Sequence, residues 1–246
     1  MAEVGIAYFY PMLYIALAIF AIGLYINLSI WAKGEKRGVV SKVPLNKKVS
    51  LVLKAFFWDV LLQERIFRES KTRWAMHFSI FCGFFGLFLL SGISFVLELF
   101  GIFPFNKDAP FFAFGFDLFG LMMLIGIAIA LYQRFIVEVP QLKTSLEDKI
   151  AIATLAILIP TGFIVEAVRL ISEEIAPEVA IFSFVGYSIA KIMGSVSLPW
   201  ASIYSPLLYL HVMIALAFIA YIPYGKFFHI LAGPLSIFLD SLEGEE

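Results

Sequence analysis

Long apolar runs separated by short polar connections dominate this chain. A helix needs about twenty mostly apolar residues to cross a bilayer, and five stretches qualify: Tyr8 to Ala32, Trp74 to Phe100, Phe111 to Tyr132, Ile150 to Ile171, and Ser205 to Ile230. The pattern predicts an all-α fold, an integral membrane bundle of five transmembrane helices. Two apolar segments fall in the connections. Val49 to Phe67, with Phe56, Phe57 and Trp58, reads as a helix lying on the interface or against a partner. Val179 to Val196 reads as a short re-entrant or interfacial helix. Neither an internal repeat nor a low-complexity linker divides the chain, so residues 1–246 are expected to form a single membrane domain.

Charge adds a direction. The connection from Lys33 to Arg73 carries Lys33, Lys36, Arg37, Lys42, Lys47, Lys48, Lys54, Arg65, Arg68, Lys71 and Arg73. With Arg134, Lys143, Lys149 and Lys226, fifteen of the 18 basic residues fall on one side, leaving Lys107, Arg169 and Lys191 on the other. The positive-inside rule then places the N-terminus outside and the C-terminus in the cytoplasm, across the cell membrane. Composition agrees with a lipid solvent, at 61% hydrophobic and 15% charged residues. A net charge of −1, with the basic residues distributed by topology, argues against nucleic acid as a partner. The first apolar stretch lacks a basic leader region and is too long for a signal-peptide core, so it reads as part of the mature chain.

The candidate chemistry lies in three histidines. His77 opens span two, and His211 and His229 fall toward the two ends of span five. On one continuous helix their 18-residue interval is about five turns, so both imidazoles face one way, roughly 27 Å apart. Spans two and five run in opposite directions, which brings His77 and His229 to one depth and suits bis-histidine ligation of haem. The competing reading is a set of interhelical hydrogen-bonding groups without a metal. Gly83, Gly86 and Gly92 thin span two, either to admit a flat macrocycle or to pack helices closely. Cys82 is the lone cysteine, so an iron–sulfur cluster held by cysteines of this chain is excluded and any cluster belongs to a partner.

Span five, with Leu210, His211, Phe218, Pro223, Lys226, His229 and Pro234, resembles the last helix of the respiratory nitrate reductase gamma subunit family. Trp74-Ala-Met-His77 and the glycine-rich run after it resemble that family's first-ligand helix. Thr161-Gly162-Phe163, with Glu166, Ala167 and Arg169, is more similar to the family's cytochrome b subunits of heterodisulfide reductase and of complexes that accompany sulfite reduction. The resemblance implies a membrane cytochrome b domain with haem b held by His77 and His229. Where nitrate reductase gamma subunits have a second span-two histidine, this chain has Leu87. The heterodisulfide-type resemblance accordingly implies a second haem held by His211 alone, high-spin and open on one face. Completion by Met122, Met123 or another group, and absence of the outer haem, are the alternatives. Also implied are a cytoplasmic iron–sulfur partner resembling the catalytic subunit of heterodisulfide reductase, and further membrane and outer-side electron-transfer subunits.

Ionisable residues inside spans are costly and mark function or structural pairing. Asp117 in span three and Glu166 with Arg169 in span four are expected at the depth of His211, the latter two spaced to pair at i and i+3. Oxidising a quinol releases protons with its electrons, and Glu166 is the first candidate base, with Arg169 and Asp117 beside it. Arg73 and Lys226, each about one turn before a histidine, are candidates to pair with haem propionates. The reading is a haem b subunit carrying electrons between a quinone-type membrane carrier and an iron–sulfur subunit. The rivals are a nitrate reductase gamma subunit and a cofactor-free transporter or anchor.

Overall fold

The computed structural model describes residues 2–33, 44–101, 106–137 and 145–243. Lys36, Arg37, Lys42 and Lys143, which enter the charge count above, lie outside the described residues. The described chain is helical, with no strand among the described residues. In order it runs α1 (Ala2–Lys33), α2 (Leu45–Ala55), α3 (Glu64–Glu69), α4 (Lys71–Leu99), α5 (Pro110–Leu131), α6 (Leu146–Ser172), α7 (Pro177–Ala180), α8 (Phe184–Met193), α9 (Trp200–Tyr221) and α10 (His229–Glu243). Five segments, Phe9–Trp31, Lys71–Leu99, Pro110–Ile136, Leu146–Ser172 and Trp200–Tyr224, are long and apolar enough to cross a membrane. Their exposed surfaces fit that solvent: α1 alone exposes Tyr14, Ile15, Ile22, Tyr25 and Ile30, a strip that water would penalise. The protein is a multi-pass membrane protein.

The described residues fall into two compact units, one formed by those within 1–74 and 215–246, the other by those within 75–214. In the first, α2 packs against α10. The interfacial segment is therefore helical, as expected, but interrupted: α2 passes through a wider π-type turn, Phe56–Leu61, before α3. Gln63, with φ of 55°, supplies the left-handed residue between them. The same unit holds the largest departure from expectation. Span five is not one helix to Ile230: α9 stops at Tyr221, two 3₁₀ turns follow at Ile222–Tyr224 and Lys226–Phe228, and α10 starts at His229. Pro223 cannot donate to the helix ladder, and Gly225 takes an extended conformation, with φ of −131° and ψ of −166°. His211 and His229 thus belong to separate helices, and the same-face, five-turn relation does not hold.

Helix α1 supplies the partners that lipid would not. Asn27 Nδ2 donates to the Pro223 carbonyl and to the Gly23 carbonyl, each at 2.9 Å. Tyr224 Oη donates to the Ile19 carbonyl at 2.9 Å. A Cβ at Gly23 would overlap the Tyr224 ring, so the absence of a side chain there is what admits the tyrosine. Phe218 and Phe227 meet edge to face across the break, with ring centroids 4.8 Å apart.

In the second unit, glycine permits close approach. A Cβ at Gly83 would overlap Met123, and one at Gly86 would overlap the ring of Phe119. These two glycines let α5 pack against α4. Gly92 has no heavy atom near its Cβ position. Helix α6 begins with a reciprocal cap: Ser145 Oγ accepts from the Asp148 amide at 3.2 Å and Asp148 Oδ2 accepts from the Ser145 amide at 2.9 Å. It ends with Glu174 at φ 51° and the Ile175 amide donating back to the Leu170 carbonyl at 3.1 Å, a Schellman-type stop without glycine. That reversal returns α7 and α8 onto α6, where Ala167, Leu170, Ala180 and Ala190 form a buried core.

Replacing Asn27 by leucine removes the donor to the Pro223 carbonyl beside the break. The expected loss is about 1–3 kcal/mol, read as a lowered thermal midpoint in detergent. An unchanged midpoint would show that the Asn27 bond does not support the broken segment.

Candidate functional site

The second unit gathers most of the expected polar residues around the start of α8. Arg169 is 1% exposed and directs its whole guanidinium at carboxylates. Nε and Nη2 donate to the two oxygens of Glu166 at 3.0 and 2.8 Å, a bidentate pair on one helix turn. Nη1 donates to Glu173 at 2.9 Å, and Nη2 also donates to Asp108 at 2.6 Å. The expected pairing of Glu166 with Arg169 is present, within a larger cluster. Asp108 and Glu173 escape a reading of the spans because they lie in and beside a connection. The i, i+4 spacing from Arg169 to Glu173 is the signal that the sequence offers.

Glu166 Oε1 also accepts from Ser183 Oγ at 2.9 Å, and a Cβ at Gly186 would overlap Glu166 Cγ. Glu166 is therefore wedged between its own arginine and α8. Lys107 stands at the rim, 3.9 Å from Glu173 and 5.9 Å from the centre of the Tyr204 ring. Burial and then the Arg169 charge push its amine below the ordinary lysine range, while Glu173, Glu166 and Asp108 oppose that shift.

Asp117 comes from α5 and is 3% exposed. Its Oδ2 accepts from the backbone amides of Val185 and Gly186, the latter at 3.1 Å. Those are the second and third residues of α8. Asp117 thus caps α8 from a different helix, satisfying two orphan donors and opposing the positive end of the helix dipole. Ser183, at the formal cap position, has no capping bond of its own to α8 because its hydroxyl is turned to Glu166.

His211 is half-buried and packs on α6. Its Nδ1 lies 3.0 Å from Thr161 Oγ1, and the edge of its ring faces Gly162, whose added Cβ would stand 3.2 Å from Cε1. Gly162 and Glu166 are one turn apart on α6, so the helix face that carries His211 also carries Glu166. Asp117 joins through its bond to the amide of Gly186, the residue that covers Glu166. Within the second unit His211 of α9, Glu166 and Arg169 of α6 and Asp117 of α5 are thus linked through α6 and α8.

The remaining candidates are placed elsewhere. His77 is half-buried in the second turn of α4, and Leu87 is half-buried farther along it. Met123 is 1% exposed and packs on Gly83, and Met122 is half-buried on α5. In the first unit, exposed His229 begins α10 with Nδ1 hydrogen-bonded to the Lys226 carbonyl. A carbonyl only accepts, so Nδ1 carries a proton, and in a neutral ring the lone pair then lies on Nε2. Arg73, in the first turn of α4, is exposed and lies 3.5 Å from Glu69. Lys226 contributes its backbone carbonyl, which orients His229.

The donor set fits haem in its chemistry. His229 shows the tautomer and the outer hydrogen bond that an axial imidazole uses. His211 has a comparable Nδ1 partner in Thr161. Among the described residues, no group of three or more His, Cys, Asp or Glu side chains is arranged to hold a metal ion, so any iron here relies on the porphyrin for its equatorial ligands.

Asp117→Ala removes the cap from α8 and should cost about 1–2 kcal/mol of local stability. Hydrogen exchange is the measurement: amides of residues 184–188 should lose protection while α5 stays protected. Unchanged exchange at Val185 and Gly186 would remove the capping role.

Comparison with known proteins places these features in one family. HdrE, the family of dihydromethanophenazine:CoB–CoM heterodisulfide reductase subunits of the E type, matches residues 53–237. The HdrE protein of Methanosarcina acetivorans is 33% identical over 193 residues, covering 76% of this chain and 65% of the relative. That of Methanosarcina mazei is 29% identical over 256 residues, covering 91% of this chain and 88% of the relative. The EtfAB:quinone oxidoreductase of Syntrophomonas wolfei is 28% identical over 95% of this chain, which spans 33% of that longer protein. No solved structure matches. The matches support the heterodisulfide reductase side of the resemblance drawn from the histidines and the Thr161-Gly162-Phe163 segment, and the chain belongs to the HdrE family of heterodisulfide reductase subunits.

Proposed function

We propose that this chain is the haem b subunit of a heterodisulfide-reductase-like membrane complex, carrying electrons between a quinone-type carrier in the bilayer and a cytoplasmic iron–sulfur subunit. The observation that carries the reading is the pair of oriented imidazoles, His229 on the Lys226 carbonyl and His211 on Thr161, in a chain of the HdrE family. Two of its relatives, a dihydromethanophenazine:CoB–CoM heterodisulfide reductase subunit and an EtfAB:quinone oxidoreductase, support a lipid-soluble two-electron carrier as substrate. The Bacillus subtilis relative, a probable iron–sulfur-binding oxidoreductase 25% identical over 78% of this chain, supports an iron–sulfur partner.

In this reading His77 and His229 hold one haem b, His211 holds a second, and Arg73 and Lys226 pair with propionates. Haem supplies one-electron carriage. The chain does the rest. The side rich in lysine and arginine faces the cytoplasm and the iron–sulfur subunit, in the cell membrane. Near His211, quinol oxidation would release two electrons, taken up in one-electron steps toward the iron–sulfur subunit, and two protons, which Glu166 would accept in turn at its carboxylate and pass to the outer aqueous side. Arg169 fixes that carboxylate in place through its Nε and Nη2 donors. Asp117 holds α8 over the same face of α6. The protein also supplies low dielectric around the cofactors, and the chain is one component of an enzyme rather than the whole of it.

Two experiments test this. His77→Ala and His229→Ala should each abolish the low-spin haem signal in electron paramagnetic resonance, and an unaltered low-spin spectrum in both would overturn the ligand assignment. Glu166→Gln should slow reduction of bound haem by a soluble quinol analogue roughly 100-fold, within the range of general-base effects, with haem content preserved. Stopped-flow rates equal to wild type would remove Glu166 as the required base.

A further inference from the structure

The environment of His211 identifies a residue that sets which of its ring nitrogens is available. Thr161 Oγ1 lies 2.9 Å from the Ile157 carbonyl, 2.9 Å from the Leu158 carbonyl and 3.0 Å from His211 Nδ1. A threonine hydroxyl has one proton. The two carbonyls belong to the preceding turn of α6 and only accept, and at 2.9 Å each they are the nearer partners for that proton. With the proton directed at a carbonyl, the hydroxyl is an acceptor toward His211, and Nδ1 then carries the hydrogen of that bond.

We infer that Thr161 is the positioning residue for His211, holding its imidazole as the Nδ1-protonated tautomer so that Nε2 presents the lone pair. Gly162 completes the arrangement. With its Cβ position 3.2 Å from Cε1 and 3.7 Å from Nε2, any side chain there would press the ring away from Thr161. The segment Thr161-Gly162 is thus a seat for one ring in one orientation: the hydroxyl chooses the tautomer and the glycine admits the ring edge. An outer hydrogen bond of this kind orients a metal-bound imidazole and raises its basicity. The role goes beyond the reading above in naming the residue that prepares His211, and it rests on that reading only for the identity of the ligand that Nε2 takes.

The test compares Thr161→Val, which keeps the shape and removes the acceptor, with Thr161→Ser, which keeps the hydroxyl. In full-length, haem-free protein labelled with ¹⁵N-histidine, nitrogen–proton correlations report the His211 tautomer, assigned by difference from His211→Gln. Thr161→Val should lose the Nδ1-protonated pattern and Thr161→Ser should retain it. In haem-loaded protein, Thr161→Val should hold the His211-dependent haem roughly tenfold more weakly, the scale of outer-shell substitutions, with Thr161→Ser matching wild type. A wild-type tautomer and wild-type haem retention in Thr161→Val would overturn the inference, as would equal losses in both variants, since the hydroxyl would then not be the operative group. If His211→Ala leaves haem content and spectrum unchanged, the ligand reading fails, and the tautomer measurement on haem-free protein still decides the role of Thr161.

Discussion

A membrane interior offers no water to a polar group, so each one must find its partner within the protein. That constraint bears on three features of the described residues. The interrupted span after Tyr221 is tolerated because Asn27 donates to the Pro223 carbonyl. The start of α8 is tolerated because Asp117 accepts from its first amides. Arg169, buried to 1% exposure, is tolerated because Glu166, Glu173 and Asp108 surround it. Removing one partner from such a set leaves a charge uncompensated, which costs more than the pair itself contributes. In the second unit, Asp117 ties α5 to α8, and Glu166 ties α6 to Ser183 at the start of α8.

The five spans were legible because twenty-residue apolar runs have one common explanation in a chain of this composition. The pairing of Glu166 with Arg169 was legible from spacing alone, as was the short helix over residues 184–193, within the expected apolar segment. The break in span five was signalled by Pro223 and Gly225 but was outweighed by the hydrophobicity around them. Hydropathy measures the solvent a segment prefers, not the continuity of its helix. Asp117 illustrates a different limit. A buried aspartate that caps a helix from another span and one that moves protons look identical in sequence, and the distinction lies in long-range bonds to Val185 and Gly186. Gly83 and Gly86 had two readings, and the contacts with Met123 and Phe119 favour close helix packing.

The family relation and the geometry carry different parts of the functional account. Membership in the HdrE family makes the chain a membrane electron-transfer component of a heterodisulfide-reductase-like complex. The geometry adds what a family name does not contain: His211 of α9 packs on Thr161 and Gly162 of α6, with Glu166 one turn beyond Gly162, and His229 sits at the head of a helix that begins only after a break. The Syntrophomonas wolfei relative, in which a region of this length is a third of a longer protein, fits the proposal that such a membrane domain works joined to or docked on redox domains.

The central claim is that this protein carries haem b on its histidines. Full-length protein expressed with sufficient haem, purified in detergent and assayed by pyridine haemochrome together with low-temperature electron paramagnetic resonance, measures haem number and spin state in one sample. The account predicts two haems b per chain, one low-spin and one high-spin. Purified, helical protein with no Soret absorption and no haem in the haemochrome assay would contradict it.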